Sequence, residues 1–152
     1  MTLAEGKSYI ILIVDDDPDL LQLMADGLEL LGHFTIVRAS DGIQGLEQFF
    51  EVHPDCVIVD VVMPSLDGFQ LVKALRGDPA SRDTPLIILT ALAQDKNRFV
   101  GMAIGADQYL VKPITPRNLI EAVERAIKIS EVERQRRLLA MAEESDESVP
   151  EE

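Results

Sequence analysis

The chain has 152 residues, a formal net charge of −13 and a single cysteine, Cys56. The acidic balance argues against a nucleic-acid-binding surface, which neutralises phosphates with Lys and Arg, and one cysteine excludes a disulfide framework or a cysteine metal site. No apolar run approaches the roughly 20 residues that span a bilayer, and residues 1–8 lack the apolar segment of a signal peptide. We therefore expect one cytoplasmic domain without membrane contact, in which Cys56 is a buried structural thiol.

Five short apolar runs, rich in β-branched residues, are typical of strands buried on both faces of a parallel sheet. The sequence places them at residues 9–14, 35–38, 56–60, 85–90 and 108–111. Most of these runs end abruptly in a polar residue, and turn or helix-start chemistry follows.

Apolar residues at helical spacing separate the strands. The first helix is predicted to begin with Asp17 as its cap and Pro18 at its first position, and to end at Gly32. Ser40 is predicted to cap the second helix, which closes at residues 53–54. Its expected apolar stripe consists of Ile43, Leu46, Phe49 and Phe50.

The third helix is expected over residues 66–76 and the fourth over roughly 94–104. Thr115 and Pro116 repeat the cap-then-proline start for the fifth helix. Residues 131–142 are still helix-forming and are predicted to be a helical extension or linker, whereas the acidic residues 143–152 are predicted to be disordered. The fifth helix also carries i,i+4 pairs of opposite charge, namely Glu121/Arg125, Glu124/Lys128 and Glu133/Arg137.

Strands that alternate with helices five times predict a parallel sheet covered on both faces. Crossovers between parallel strands are nearly always right-handed. The predicted fold is therefore a three-layer (βα)5 sandwich of the α/β class, in a domain that covers residues 8–130.

Polar residues collect at the carboxyl ends of the predicted strands. Strand one supplies Asp15 and Asp16, strand three Asp60, strand four Thr90 and strand five Lys112. Clustered carboxylates repel one another unless a cation lies between them, and oxygen ligands suit magnesium. A lysine and a hydroxyl can contact the oxygens of a transferred phosphoryl group, and a carboxylate can accept that group as an aspartyl-phosphate.

These residues resemble the receiver domain of two-component response regulators. The resemblance covers nearly the whole predicted domain, and its motifs stand in order at four strand ends. They are Val14-Asp15-Asp16-Asp17, Val59-Asp60-Val61-Val62-Met63-Pro64, Leu89-Thr90-Ala91 and the segment 105–113, which ends in Tyr109-Leu110-Val111-Lys112-Pro113.

The resemblance implies a flavodoxin-like sheet of order 2-1-3-4-5 and a signalling domain rather than an enzyme with a separate substrate. Asp60 would accept a phosphoryl group from a histidine kinase or a histidine phosphotransfer protein. Mg²⁺ or Mn²⁺ would be held by Asp15, Asp16, Asp60 and the backbone carbonyl of Val62. Thr90 and Lys112 would contact the phosphoryl oxygens, and Lys112-Pro113 would be a cis peptide.

The resemblance also implies a switch between two states. Thr90 would move toward the phosphoryl group and Tyr109 would turn inward into the vacated space. The surface made by helix four, strand five and helix five would change with them and control a partner or output domain. The same surface could pair two copies of the chain.

Two apolar residues next to the site bear on the lifetime of the phosphorylated state. Val62 lies two positions after Asp60 and Leu92 two positions after Thr90, where some receiver domains have polar residues that orient water. Apolar side chains there should hinder attack on the aspartyl-phosphate, so we expect a long-lived phosphorylated state.

Two alternatives remain at this point. A haloacid-dehalogenase-type phosphatase also begins with an apolar strand and an Asp-x-Asp motif, but it would leave Asp60 idle and requires acidic residues that do not follow Lys112. An adaptor of the same fold that is not phosphorylated would have no use for the five-residue constellation. Release of phosphate from p-nitrophenyl phosphate over many turnovers would favour the phosphatase.

Overall fold

A computed structural model describes residue 3 and residues 6–147 of the chain. The strands are β1 (Ile10–Val14), β2 (Thr35–Ala39), β3 (Cys56–Val59), β4 (Leu86–Thr90) and β5 (Gln108–Val111). The helices are α1 (Pro18–Gly32), α2 (Gly42–Val52), α3 (Gly68–Gly77), α4 (Asp95–Ala103) and α5 (Pro116–Glu147). All strand pairs are parallel and the sheet order is β2-β1-β3-β4-β5. The predicted fold class and strand order are confirmed.

The core has two halves, one on each face of the sheet. Successive side chains of a strand point to opposite faces, so Ile11 and Ile13 of β1 contribute to the half under α1 and α5. Leu12 and Val14 contribute to the half under α2 and α3. Because helices cover both faces of the sheet, every side chain of β1 is apolar. This continuous apolar run allowed a buried parallel strand to be predicted from the sequence.

The helix starts agree with the predictions at Asp17 and differ at Ser40. Asp17 accepts hydrogen bonds from the backbone N–H groups at positions 19 and 20. For α2 the cap is Asp41, whose side chain accepts from the backbone N–H of Gln44 at 2.8 Å, while the hydroxyl of Ser40 donates to the side chain of Gln44 at 2.9 Å. The prediction that Ser40 caps α2 is wrong because the chain enters the helix one residue later.

The buried face of α2 also differs from the predicted stripe. Ile43 is 50% exposed and Phe50 39% exposed, whereas Gly45 and Phe49 are buried. A Cβ at Gly45 would lie 2.9 Å from a methyl carbon of Val14. The helix therefore approaches β1 closely at Gly45, a contact that a search for large apolar side chains does not find.

The fifth helix is longer than predicted. It runs to Glu147, so residues 143–147 are helical where the sequence predicted disorder, and residues 148–152 lie outside the described residues. Three of the residues 143–147 are Glu, which favours helix, and no Gly or Pro interrupts the segment before position 150. Among the described residues Arg137 forms its salt bridge with Asp83 rather than Glu133, and the other two predicted i,i+4 pairs do not form one either.

No helix in the described part of the chain is long and apolar enough to cross a membrane.

Candidate functional site

Four strands deliver polar residues to the carboxyl end of the sheet. Asp15 and Asp60 follow directly on β1 and β3, which are paired so that Val14 lies opposite Val59. The backbone N–H of Asp60 donates to the carbonyl of Val14 at 3.0 Å, which extends the ladder by one residue and brings the two carboxylates side by side. The backbone N–H of Lys112 donates in the same way to the carbonyl of Thr90, at 2.9 Å.

The ammonium group of Lys112 joins the two buried carboxylates. Its Nζ lies 2.8 Å from Oδ2 of Asp15 and 2.7 Å from Oδ2 of Asp60. Partial burial by itself lowers the pKa of Lys112, but the hydrogen bonds and negative charges of the two carboxylates outweigh it, and the net shift of the pKa is upward. Lys112 therefore stays protonated at neutral pH and compensates part of the carboxylate charge.

The carboxylates of the site lie close enough together to share a cation. Oxygens of Asp15, Asp16 and Asp60 all lie within 4.8 Å of one another, and Asp16 is exposed to solvent. The second oxygen of Asp15 accepts from the backbone N–H of Asp17 at 2.9 Å, and that of Asp60 from the backbone N–H of Val62 at 3.3 Å. An all-oxygen donor set with one solvent-facing member fits a hard divalent ion that keeps several waters, such as Mg²⁺.

Gly68, which the sequence analysis did not single out, lies directly against the backbone of Asp60. A Cβ at Gly68 would lie 2.2 Å from the backbone carbonyl oxygen of Asp60 and 2.7 Å from Cα of Val61. The first residue of α3 can therefore contact the backbone of the site only because it is glycine. Asp67 caps this helix, and its capping box with Gln70 fixes where the helix begins. The Asp-Gly pair in the sequence was the available signal.

Thr90 is the last residue of β4, and Tyr109 lies within β5. Thr90 is fully buried, and its hydroxyl oxygen accepts from the backbone N–H of Leu92 at 3.4 Å. Tyr109 is also buried, and its hydroxyl donates to the carbonyl of Leu92 at 2.7 Å. Burial raises the pKa of Tyr109, and the Arg98 guanidinium only partly offsets this. The Tyr109 ring therefore lies inside the domain, the position that the sequence analysis assigned to the phosphorylated state.

Space for the Tyr109 ring is provided by α4. A Cβ at Gly101 would lie 2.9 Å from Cδ2 of Tyr109 and 2.9 Å from Cδ1 of Ile88. The guanidinium of Arg98 lies 5.5 Å from the centre of the ring and donates to the backbone carbonyl of Tyr109 at 3.3 Å. Neither residue was identified from the sequence, because neither belongs to a strand end.

The segment after β5 completes the site. The Lys112-Pro113 peptide is cis, as the resemblance implied. Next to it lies an apolar groove of about 380 Å³ between α1 and the start of α5. The groove is lined by Leu20, Leu23, Met24, Pro113, Ile114 and Leu119, together with Lys112 and neighbouring residues.

Comparison with known proteins identifies the family. The sequence model of the protein family called response regulator receiver domain matches residues 11–124 of this chain. This chain belongs to the response regulator receiver domain family. The predicted family is therefore confirmed, and the chain contains a signalling domain of two-component systems.

Receiver domains of known structure share the fold. CheY4, a chemotaxis protein of Vibrio cholerae, is 32% identical with a TM-score of 0.74, over 79% of this chain and 99% of that protein's chain. A CheY-like receiver domain of Methanospirillum hungatei is 27% identical with a TM-score of 0.77, over 84% of this chain and 99% of the other.

Curated relatives are longer than this chain. A probable transcriptional regulator, ycf27, of Guillardia theta is 42% identical over 117 residues, which are 77% of this chain and 44% of the relative. The DNA-binding dual master transcriptional regulator RpaA of Synechocystis is 36% identical over 118 residues, 78% of this chain and 48% of the relative. The match thus spans about half the length of these regulators.

Proposed function

We propose that this receiver domain accepts a phosphoryl group on Asp60, in a magnesium-dependent reaction, from the phosphohistidine of a histidine kinase or a histidine phosphotransfer protein. The observation that carries the proposal is the contact of Lys112 with both Asp60 and Asp15, at 2.7 and 2.8 Å. A lysine held against the acceptor carboxylate stands where it can contact a phosphoryl group attached to that carboxylate.

The transfer makes one bond and breaks one bond. An oxygen of Asp60 attacks the phosphorus, the phosphorus–nitrogen bond to the donor imidazole breaks, and the imidazole keeps the electron pair of that bond. Asp15, Asp16, Asp60 and the backbone carbonyl of Val62 would hold Mg²⁺ or Mn²⁺, which supplies positive charge for the phosphoryl oxygens when bound. Lys112 and the hydroxyl of Thr90 would donate hydrogen bonds to those oxygens.

A partner would recognise the phosphorylated state through the surface formed by α4, β5 and α5. Thr90 would donate a hydrogen bond to the phosphoryl group and thereby favour the inward position of Tyr109, and with it the signalling form of this surface. Phe99, Val100 and Met102 of α4 are exposed by 75, 41 and 45%, so the surface offers apolar area to a partner, an output domain or a second copy. The transcriptional regulators among the relatives suggest control of transcription as the output.

The apolar groove beside Lys112 supports a protein as the phosphoryl donor. A donor histidine can reach Asp60 only if its carrier contacts the surface around the site. The groove adjoins Lys112 and continues onto α1, where Leu23 is 62% exposed. Apolar surface next to the acceptor is what a transient protein partner needs for docking.

The test is phosphorylation by a small donor. Incubation with acetyl phosphate and Mg²⁺ should add one phosphoryl group, and mass spectrometry after borohydride reduction should locate it at Asp60. Asp60→Asn should abolish the modification, whereas Asp26→Asn, an exposed change on α1, should leave it intact. Modification of the Asp60→Asn variant at the wild-type rate would refute the proposal.

The phosphatase alternative has less support. It left Asp60 idle, whereas Asp60 lies in direct contact with Lys112, and the chain belongs to a family of signalling domains. An assay with p-nitrophenyl phosphate and Mg²⁺ separates the two functions. We expect no sustained release of nitrophenol beyond the stoichiometry of the protein.

A further inference from the structure

A polar cleft lies at the end of the sheet opposite to Asp60. It has a volume of about 370 Å³ and opens between the loop before β4, the turn before β5 and the part of α5 beyond residue 132. Four of the chain's nine arginines line it, in a protein whose net charge is −13. They are Arg76, Arg82, Arg136 and Arg137, and the cleft is hereafter called the arginine cleft. The domain itself uses part of this positive charge, and part of it is left over.

Arg76 forms the floor of the arginine cleft and is committed to the domain. Its Nε donates to the backbone carbonyl of Gly105 at 2.8 Å. Its Nη1 donates to the carbonyls of Arg82 and Thr84 at 2.9 and 2.6 Å, and its Nη2 lies 2.9 Å from Oδ2 of Asp107. Arg76 therefore has a structural role, and it fixes the backbone of the loop that carries Arg82.

The wall formed by α5 is attached to the same loop. Arg137 makes a salt bridge with Asp83 at 3.0 Å, and the hydroxyl of Ser130 donates to the carbonyl of Asp83 at 3.4 Å. The loop is anchored in turn by the buried Ser81, whose hydroxyl donates to the carbonyl of Leu75 at 2.6 Å. The two walls thus face each other before any ligand binds, which lowers the cost of ordering a site.

Arg82 and Arg136 supply the positive charge that is left over. Both side chains are exposed, and within the part of the chain that the structure describes neither guanidinium forms a salt bridge. Three carboxylates also line the arginine cleft, and two of them are the partners of the arginines already described. The third, Glu133, forms no salt bridge with the described residues either. Two uncompensated guanidinium groups therefore face one uncompensated carboxylate.

This set of groups indicates the chemistry of a ligand. A guanidinium presents a fork of N–H donors that matches the oxygens of a phosphate group, and here two such forks come from different elements. The carboxylate of Glu133 only accepts hydrogen bonds, so it repels a bare phosphate and pairs with a hydroxyl group. The volume of the cleft lies at the lower end of the range of about 300–1,000 Å³ found for small-molecule sites. A phosphate group joined to a small hydroxylated body satisfies all three side chains.

We propose that the arginine cleft binds a small phosphate ester, a sugar phosphate or a nucleotide. Arg82 and Arg136 contact the phosphate group, and Glu133 accepts a hydrogen bond from a hydroxyl group of the ligand. The ligand would thereby connect the loop before β4 to a part of α5 that lies beyond the family match at residues 11–124. The inference is independent of the proposed function, because Asp60 lies at the other end of the sheet.

Titration of the full chain with three probes tests the class of ligand. Ribose 5-phosphate, adenosine monophosphate and inorganic phosphate are added in the presence of EDTA, which keeps metal ions away from the carboxylates around Asp60. Binding is followed by NMR chemical shifts of the backbone. At least one of the two esters should bind at least about tenfold more tightly than inorganic phosphate and shift the signals of residues 82 and 133–137, and the tighter ester identifies the source of the phosphate group. Equal binding of inorganic phosphate, or shifts elsewhere only, would overturn the proposal.

Substitutions test the three side chains. Arg82→Gln and Arg136→Gln should each weaken binding of the tighter ester at least about tenfold, because each removes a hydrogen-bonding group of full charge. Glu133→Gln should tighten inorganic phosphate and so reduce the preference for the ester. Arg134→Gln is the matched control, since Arg134 lies on the same helix but lines a different cavity, and it should leave the affinity unchanged.

An equal loss of affinity in Arg134→Gln and Arg136→Gln would mean that only the general charge of α5 attracts the ligand, and it would contradict the proposal. Neither Arg82 nor Arg136 forms a salt bridge with the described residues, so we expect both variants to fold and to unfold at the wild-type temperature. Both should also be labelled by acetyl phosphate and Mg²⁺ as the wild type is. The labelling experiment therefore separates a failure of the arginine cleft from a failure of the proposed function.

Discussion

The Nζ of Lys112 lies 2.7 Å from Oδ2 of Asp60, and the same nitrogen lies 2.8 Å from Oδ2 of Asp15. The two carboxylates come from neighbouring strands, and the lysine comes from the strand at the sheet margin. One positive charge therefore holds two of the carboxylates that converge here. Because Lys112 is anchored by Asp15 as well, it would remain close when a phosphoryl group occupies the oxygen of Asp60.

Replacing Lys112 should affect phosphorylation more than folding. We expect Lys112→Met to lower the rate of phosphorylation by acetyl phosphate about 100-fold, the scale found when one donor to developing charge is removed. The rate can be followed by intact mass at fixed Mg²⁺. Lys73→Met, an exposed lysine on α3, is the control, and an equal rate in both variants would show that the Lys112 contact has no role in the transfer.

Mg²⁺ should stabilise the folded chain through its carboxylates. At 100 times the dissociation constant, binding to the folded state alone should add about 2.7 kcal/mol to the free energy of unfolding. Asp16→Asn should remove most of this gain while changing the metal-free stability by less than about 0.5 kcal/mol, because Asp16 is exposed. Thermal unfolding with and without EDTA measures both quantities. A full magnesium effect in Asp16→Asn would exclude Asp16 as a ligand.

The sheet and most of the site could be predicted because their signals are local. An apolar run followed by Asp60, or by Lys112 and Pro113, marks both the strand and its end, and parallel strands bring their ends to one place. Two glycines that escaped prediction make space for their neighbours rather than side-chain bonds. Gly68 lies against the backbone of Asp60, and Gly101 lies against the ring of Tyr109. Neither residue has a side chain that indicates a function in the sequence. Their importance depends on which group packs against them in the folded chain.

The predictions for part of the buried face of α2 and for the end of α5 were wrong for related reasons. Large apolar residues such as Ile43 suggested the wrong face because Gly45 gives the close approach to β1. Residues 143–147 were judged by their charge, although Glu favours helix almost as well as Ala does. Propensity and composition gave opposite indications, and propensity agrees with the observed helix.

Val62 should set the lifetime of the phosphorylated state. Its side chain is 60% exposed, while its backbone N–H donates to Asp60 at 3.3 Å, so an amide there would stand beside the phosphoryl group and could orient water. We expect Val62→Asn to speed loss of the phosphoryl group several-fold. Ile43→Asn, a similarly exposed change on α2, controls for surface polarity. An unchanged half-life in Val62→Asn would remove the basis for a long-lived state.

Gly101 should control the position of Tyr109. A methyl group in Gly101→Ala would lie 2.9 Å from the ring, so either the ring leaves its site or the protein loses about 1–3 kcal/mol through overpacking. The chain has two tyrosines, so fluorotyrosine NMR gives two signals, and Tyr9→Phe assigns them. We expect the Tyr109 signal to shift toward that of an exposed ring. Gly77→Ala, where a Cβ meets nothing within 4 Å, should leave the spectrum unchanged.

Cys56 should be inert in the folded protein. Burial in β3 is the main cause that raises the pKa of its thiol, and the charges of Asp107 and Asp55 add to it. The reactive form of a cysteine is the thiolate. Raising the pH from 7 to 9 should therefore increase the labelling of Cys56 only through unfolding. An exposed thiol with the usual pKa of about 8.5 should instead be labelled faster at each higher pH. Lys73→Cys supplies such a thiol within the same chain. Mass spectrometry of a time course with iodoacetamide should find one label early in Lys73→Cys and none in the wild type until urea unfolds it. Rapid labelling of the native wild-type protein would mean that β3 opens at the centre of the sheet, which its pairing with β1 and β4 opposes.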